Sequence, residues 1–182
     1  MKNAIIFSGT GGQGIMSMGI MLANAAVESG LHATYMPSYG PEQRGGKAKC
    51  VVIIDKEEIL SSMSGRGGLL VALTREAYGA FINELEPGGT LLYDNTVISP
   101  DEITRGDIRA VPVPAGDLAI ELGSPKVANV IVLGVLAGIG CNVAPEQLQA
   151  SLDAKFADKP QKLRDLNTAA LKKGIELAGQ YK

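Results

Sequence analysis

Residues 3–8 (NAIIFS) form a short β-type run that breaks at Gly9-Thr10-Gly11-Gly12-Gln13-Gly14, and residues 15–29 (IMSMGIMLANAAVES) continue as a mostly apolar, proline-free stretch closed by Gly30. A strand that turns on glycines straight into an apolar helix has to bury both elements in one core, which is how a βαβ unit begins. The alternation then continues. Strand signals recur at His32–Pro37, 47–54 (KAKCVVII), Leu69–Leu73, Thr90–Asp94 and Ile108–Val113. Helical signals cover Thr74–Leu85, Gly116–Leu122, Lys126–Gly140 and Pro145–Phe156, and a last helix starts near Pro160. In that last helix Leu163, Leu166, Ala170, Gly174 and Leu177 recur every three or four residues, giving one packing stripe. Pro87-Gly88-Gly89 is expected to turn the chain into the Thr90–Asp94 strand. Near-continuous apolar strands between helices predict a sheet covered on both faces. The link from residue 38 to 47 is too short for a helical crossover, so that strand pair is expected to be antiparallel. The expectation is one α/β domain over residues 1–182: three layers, α/β/α, with a mixed, mostly parallel sheet.

Composition removes several kinds of chemistry. With 17 basic and 19 acidic residues the net charge is −2, and only 4% of residues are aromatic, so neither phosphate attraction nor base stacking supports nucleic-acid binding. Cys50 and Cys141 are too few to hold an iron–sulfur cluster or a structural zinc. A single histidine, His32, argues against a His-based metal centre or a Ser–His triad. The apolar opening, Ala4 to Phe7, is shorter than a signal-peptide core, and Val127 to Ile139 is too short and interrupted for a membrane span. A cytoplasmic, reducing setting with free thiols is the expectation, with no metal and no catalytic residue assigned to this chain.

Two polar loops carry the remaining signal. Gly9, Gly11 and Gly14 fit G-x-G-x-x-G after a strand and before a helix, where free N–H groups attract an anion. A dinucleotide site also needs a carboxylate at the end of the second strand, and His32-Ala33-Thr34-Tyr35-Met36-Pro37 has none. An anionic ligand, a partner loop, or a turn used only for packing remain as alternatives. The second loop is Pro37-Ser38-Tyr39-Gly40-Pro41-Glu42-Gln43-Arg44-Gly45-Gly46, which a doubly wound sheet would bring to the same edge. Arg44 offers a planar fork for phosphate or carboxylate and Glu42 can position it. An ordinary connection with solvated charges is the alternative. Gly65-Arg66-Gly67-Gly68 is either a second anion contact or a plain turn. Met16, Met18, Met21 and Met36 are expected to pack, and Cys50 to be a buried inert thiol.

Phe7 through Gly14 with the following apolar helix, then Pro37 through Gly46, resembles the gamma subunit of 2-oxoacid:ferredoxin oxidoreductases. Val113-Pro114-Ala115, Leu122-Gly123, Ala128-Asn129 and Leu133-Gly134 resemble that family's second half, so the likeness covers nearly the whole chain. The resemblance implies a fold like domain III of pyruvate-ferredoxin oxidoreductase. It also implies a multisubunit enzyme that decarboxylates a 2-oxo acid on thiamine diphosphate, forms an acyl-coenzyme A and passes electrons through iron–sulfur clusters. The partners it implies are alpha and beta (thiamine-binding) subunits and a ferredoxin-like delta subunit, which would carry the thiamine and the clusters. This chain has no G-D-G thiamine motif, since Gly106-Asp107 and Gly116-Asp117 are followed by Ile108 and Leu118. Its implied share is coenzyme A binding through Gly9, Gly11, Gly12, Gln13, Gly14, Ser38, Tyr39, Gly40, Glu42, Arg44 and Gly45. Glu42-Gln43-Arg44-Gly45-Gly46 looks closer to the 2-oxoglutarate branch than to the pyruvate branch. Pairing of isolated chains into a homodimer is left open, and the rival is a self-contained Rossmann-like nucleotide-binding domain.

Overall fold

A computed structural model describes residues 3–39, 46–61 and 65–181. Its strands are β1 (Asn3–Thr10), β2 (His32–Tyr39), β3 (Lys47–Asp55), β4 (Gly67–Ala72), β5 (Leu85–Asp94) and β6 (Arg109–Val113). The helices are α1 (Ile15–Glu28), α2 (Arg75–Phe81), α3 (Ala115–Glu121), α4 (Ala128–Ile139), α5 (Pro145–Lys155) and α6 (Gln161–Ala178). The strands form one sheet in the order β2-β3-β1-β4-β5-β6. β3 is antiparallel to both neighbours and every other pair runs parallel through β1, β4, β5 and β6, so the expected mixed sheet is borne out.

The expected antiparallel pair is present, with His32 opposite Asp55 and Tyr39 opposite Ala48. The sequence did not show that β3 would slot between β1 and β2. Burial explains the order. Ala48 and Cys50 through Ile54 are buried, as a strand covered on both faces requires, whereas β2 is half-buried and carries Pro37, whose missing N–H is tolerated at a sheet edge. Side chains alternate between two cores. Ile5, Phe7, Val52 and Ile54 join a large cluster with α1, α3, α4, α5 and α6, while Ala4, Ile6, Val51 and Ile53 face a smaller one with Tyr78 of α2. The three layers are therefore unequal in thickness.

On the thick side α4 and α6 meet backbone to backbone. A Cβ on Gly174 would overlap the Ile131 carbonyl oxygen, and one on Gly134 would overlap the Leu171 oxygen. The thin side corrects one boundary. The helix expected over Thr74–Leu85 ends at Phe81, followed by a 3-10 turn at Ile82–Glu84, and Leu85 already pairs with Gly67 in the sheet. Pro87-Gly88-Gly89 thus lies inside β5, at the register shift between the Gly67–Leu85 and Leu69–Thr90 pairs. The Arg105 guanidinium holds this early exit by donating to the carbonyls of Ile82 (3.0 Å) and Leu85 (2.8 Å). Among the described residues no helix is long and apolar enough to cross a membrane.

Candidate functional site

β1, β4 and β5 run parallel, so their carboxyl ends share one edge of the sheet, and β2 and the start of β3 end there too. Ligands of open α/β sheets settle at that edge. A cavity of about 370 Å³ opens there, lined by Gly12, Gln13 and Gly14, by Leu73 and Asp94 just after or at the ends of β4 and β5, and by the chain entering α4.

The glycine turn is shaped for close backbone approach. Gly12 has φ +99 and Gly14 has φ +77, left-handed values that a side chain makes costly, and among the described residues nothing lies within 4 Å of where a Gly12 Cβ would be. Gly14 caps α1 without a side-chain hydrogen bond, and α4, entered through a 3-10 turn at Pro125–Val127, also lacks a capping side chain. Neither helix has a carboxylate in its first turn. The entry to α4 is already satisfied, since Lys126 N donates to Ser124 Oγ, Val127 N to Ser124 O and Ala128 N to Pro125 O. The uncapped start of α1 and the exposed Lys126 are therefore what make this end of the cavity attractive to an anion. Asn129 adds a second feature. A Cβ on Gly14 would overlap its amide nitrogen, and its Oδ1 is buried without a hydrogen-bond partner. Asp94 is the opposing charge, only 7% exposed, and its Oδ1 accepts from Thr96 N (3.0 Å) and Thr96 Oγ1 (2.7 Å).

The expected residues separate into groups. Gly12, Gln13 and Gly14 line the cavity. At Gly9 the absent side chain leaves room for Gln13 Oε1 and Ile15 Cδ1, 2.6 and 2.8 Å from where a Cβ would stand. Gly11 N donates to Gly46 O at 3.1 Å, tying the glycine turn to the end of the second loop. Ser38 and Tyr39 are the last residues of β2, opposite Lys49 and Ala48, at the same edge. Gly40, Glu42, Arg44 and Gly45 lie outside the described residues. Gly65 and Arg66 lead into β4 and Gly67 and Gly68 begin it, so this segment sits at the opposite end of the sheet; a Cβ on Gly67 would stand 2.8 Å from the Ala4 carbonyl, so close strand approach accounts for that glycine. Asp94 and Lys126 escaped sequence reasoning, and Asn129 entered it only as part of a family-like motif. The available signal was Asp94 closing a strand and Ser124-Pro125 opening a helix.

Other candidate side chains are placed plainly. His32 is exposed at the start of β2. Cys50 is fully buried and burial pushes its thiol up to about 12; Cys141, also buried, is pushed up to about 11 by the same cause. Neither is a nucleophile at neutral pH. Met18 and Met21 are buried, as packing residues should be.

Residues 4–177 match the family described as pyruvate ferredoxin/flavodoxin oxidoreductase. The chain belongs to that family. It is 38% identical over 172 residues to the ketoisovalerate oxidoreductase subunit VorA of Methanothermobacter thermautotrophicus, spanning 94% of this chain but 35% of that protein. With the 2-oxoglutarate synthase subunit KorC of Methanocaldococcus jannaschii it shares 34% identity over 180 residues, spanning 98% of this chain and 95% of that one. The solved gamma subunit of a keto/oxoacid ferredoxin oxidoreductase from Geobacter sulfurreducens superposes with TM-score 0.82 at 31% identity, over 97% of this chain and 98% of that one. A 2-oxoglutarate:ferredoxin oxidoreductase from Magnetococcus marinus, solved with 2-oxoglutarate, coenzyme A and succinyl-CoA bound, gives TM-score 0.91 at 29% identity, over 98% of this chain and 31% of that one. The chain thus spans about a third of some relatives and nearly all of others. The gamma-type resemblance carried by the two glycine-rich loops is borne out, and nothing favours the self-contained Rossmann alternative.

Proposed function

We propose that this chain is the gamma-type subunit of a thiamine diphosphate-dependent 2-oxoacid:ferredoxin oxidoreductase and that it helps to hold coenzyme A at the edge where the two glycine-rich loops meet. The observation that carries the coenzyme role is the cavity: the uncapped start of α1, Lys126 and a buried amide oxygen on Asn129 with no partner among the described residues converge on the glycine turn. An anion with hydrogen-bond donors suits that set, and a phosphorylated coenzyme has both. Thiamine diphosphate and iron–sulfur clusters belong, in this proposal, to alpha, beta and delta partners, because two cysteines are too few for a cluster and the sequence has no G-D-G thiamine motif. Its contribution is to bind and orient, and it is not catalytic alone. The proposed 2-oxo acid is 2-oxoglutarate, supported by Glu42 to Gly46 and by the KorC relative of matching length.

Arg44→Ala in the reassembled complex tests the coenzyme role. Loss of a charge-assisted contact of about 1.5–3 kcal/mol raises the KM for coenzyme A by about 10- to 100-fold. An unchanged KM removes Arg44 from the site, and failure to assemble assigns the loop to the subunit interface instead. Turnover of the complex on 2-oxoglutarate, pyruvate and 2-oxoisovalerate tests the substrate: a higher kcat/KM on either of the last two displaces 2-oxoglutarate.

A further inference from the structure

Gln13 lines the cavity beside the anion-attracting backbone, where a ligand contact is the simple expectation. Its side chain is otherwise engaged. Oε1 accepts from Thr10 N at 2.8 Å, Nε2 lies 3.5 Å from Leu73 O, and its own N–H donates to Thr10 O at 3.2 Å. The space it occupies is the space that Gly9 vacates. Leu73 is in turn tied to β1, donating from its N–H to Ser8 O at 3.1 Å. The next amide along, Gly11 N, reaches Gly46 O, the first described residue after Arg44. The carboxamide therefore stands between the end of β1 and the end of β4, one residue from the link to the second loop.

We infer that Gln13 is a positioning residue: its carboxamide braces the glycine turn between Thr10 and Leu73, and so sets the Gly11–Gly46 link, instead of contacting the coenzyme. The ligand in this inference rests on the function proposed above, but the brace does not, so the two can fail separately.

Amide hydrogen exchange on the full chain without coenzyme A tests the brace. Gln13→Ala speeds exchange at Thr10 and Gly11 by about tenfold, while Gln13→Glu, which keeps the acceptor oxygen, leaves Thr10 protected. Unchanged exchange at Thr10 in Gln13→Ala overturns the inference. In the reassembled complex Gln13→Ala then raises the KM for coenzyme A and for dephospho-coenzyme A by the same factor with little change in kcat. Combined with Arg44→Ala the effects fall short of multiplying, because the brace acts through the loop that bears Arg44. A penalty confined to one of the two compounds, or full multiplication of the two effects, marks a direct contact and overturns the inference. Faster Thr10 exchange together with a normal KM for coenzyme A in both Gln13→Ala and Arg44→Ala upholds the brace and sinks the coenzyme reading.

Discussion

The glycines at the start of α1 and those between α4 and α6 differ in what surrounds them. Around the place a Gly12 Cβ would take there is nothing within 4 Å among the described residues, and beside Gly14 the nearest atom belongs to the end of the Asn129 side chain. Around Gly134 and Gly174 the obstacles are backbone atoms of the facing helix, Leu171 O and Ile131 O. In the first region the missing Cβ leaves the backbone open to the cavity. In the second it lets two helices approach until their main chains touch, where dispersion is gained over many atom pairs. The same residue type thus leaves an open cavity edge in one place and a close-packed core in the other. What separates the two uses is whether the space beyond the glycine is open or filled.

Substitutions should divide along that line. The largest effect is expected for Gly174→Ala, because neither Ile131 O nor Val135 N can move without α4 moving. Overpacking of this kind costs about 3 kcal/mol. For a chain of this size that lowers Tm by about 6–12 °C, which thermal unfolding measures. A loss below a degree would mean the helix pair is not tightly held. Gly14→Ala comes next: a left-handed non-glycine residue costs about 1–2 kcal/mol, and the Asn129 amide is pushed toward the cavity. Here the KM for coenzyme A should rise several-fold while Tm falls only by a few degrees. An unchanged KM would put the turn among the packing glycines.

Lys126→Ala is expected to be smaller still. Its side chain is exposed, so the KM for coenzyme A should rise by about two- to fivefold at low salt, with the difference shrinking as ionic strength is raised and with no change in Tm. A salt-independent effect would contradict a purely electrostatic contribution. The thiols have the least influence at neutral pH. Their ordinary value is 9.0, and the native values are raised to about 12 for Cys50 and about 11 for Cys141. Above pH 9 the unfolded thiols ionise while the native ones stay protonated, so this contribution to stability is lost as pH rises from 9 toward 11 and 12. Denaturant unfolding of the wild type and Cys50→Ala between pH 8 and 11 checks the sign: the wild type should lose ground relative to the variant as pH rises.

Much of this was legible because it is local. Near-continuous apolar runs mark β1 and β3, the glycine cluster marks the turn, and the Leu163-to-Leu177 stripe marks α6. The end of α2 was misplaced because Arg105 and the pairing of Leu85 with Gly67 stop it, and both act from elsewhere in the chain. At the candidate site the glycine turn was visible and its neighbours were not. Asp94 and Lys126 carry no motif of their own, and the hydrogen bond from Gln13 to Leu73 links the ends of two strands, 60 residues apart in the chain.

The amino-acid sequence by itself determined the order of strands and helices, the two glycine-rich loops and the family, since spacing and residue type act within a few turns of chain. Only the tertiary structure decided that β3 lies between β1 and β2, and that the starts of α1 and α4 face one cavity. Sheet order and helix docking are settled by burial between segments far apart in the chain, where local pattern has no reach.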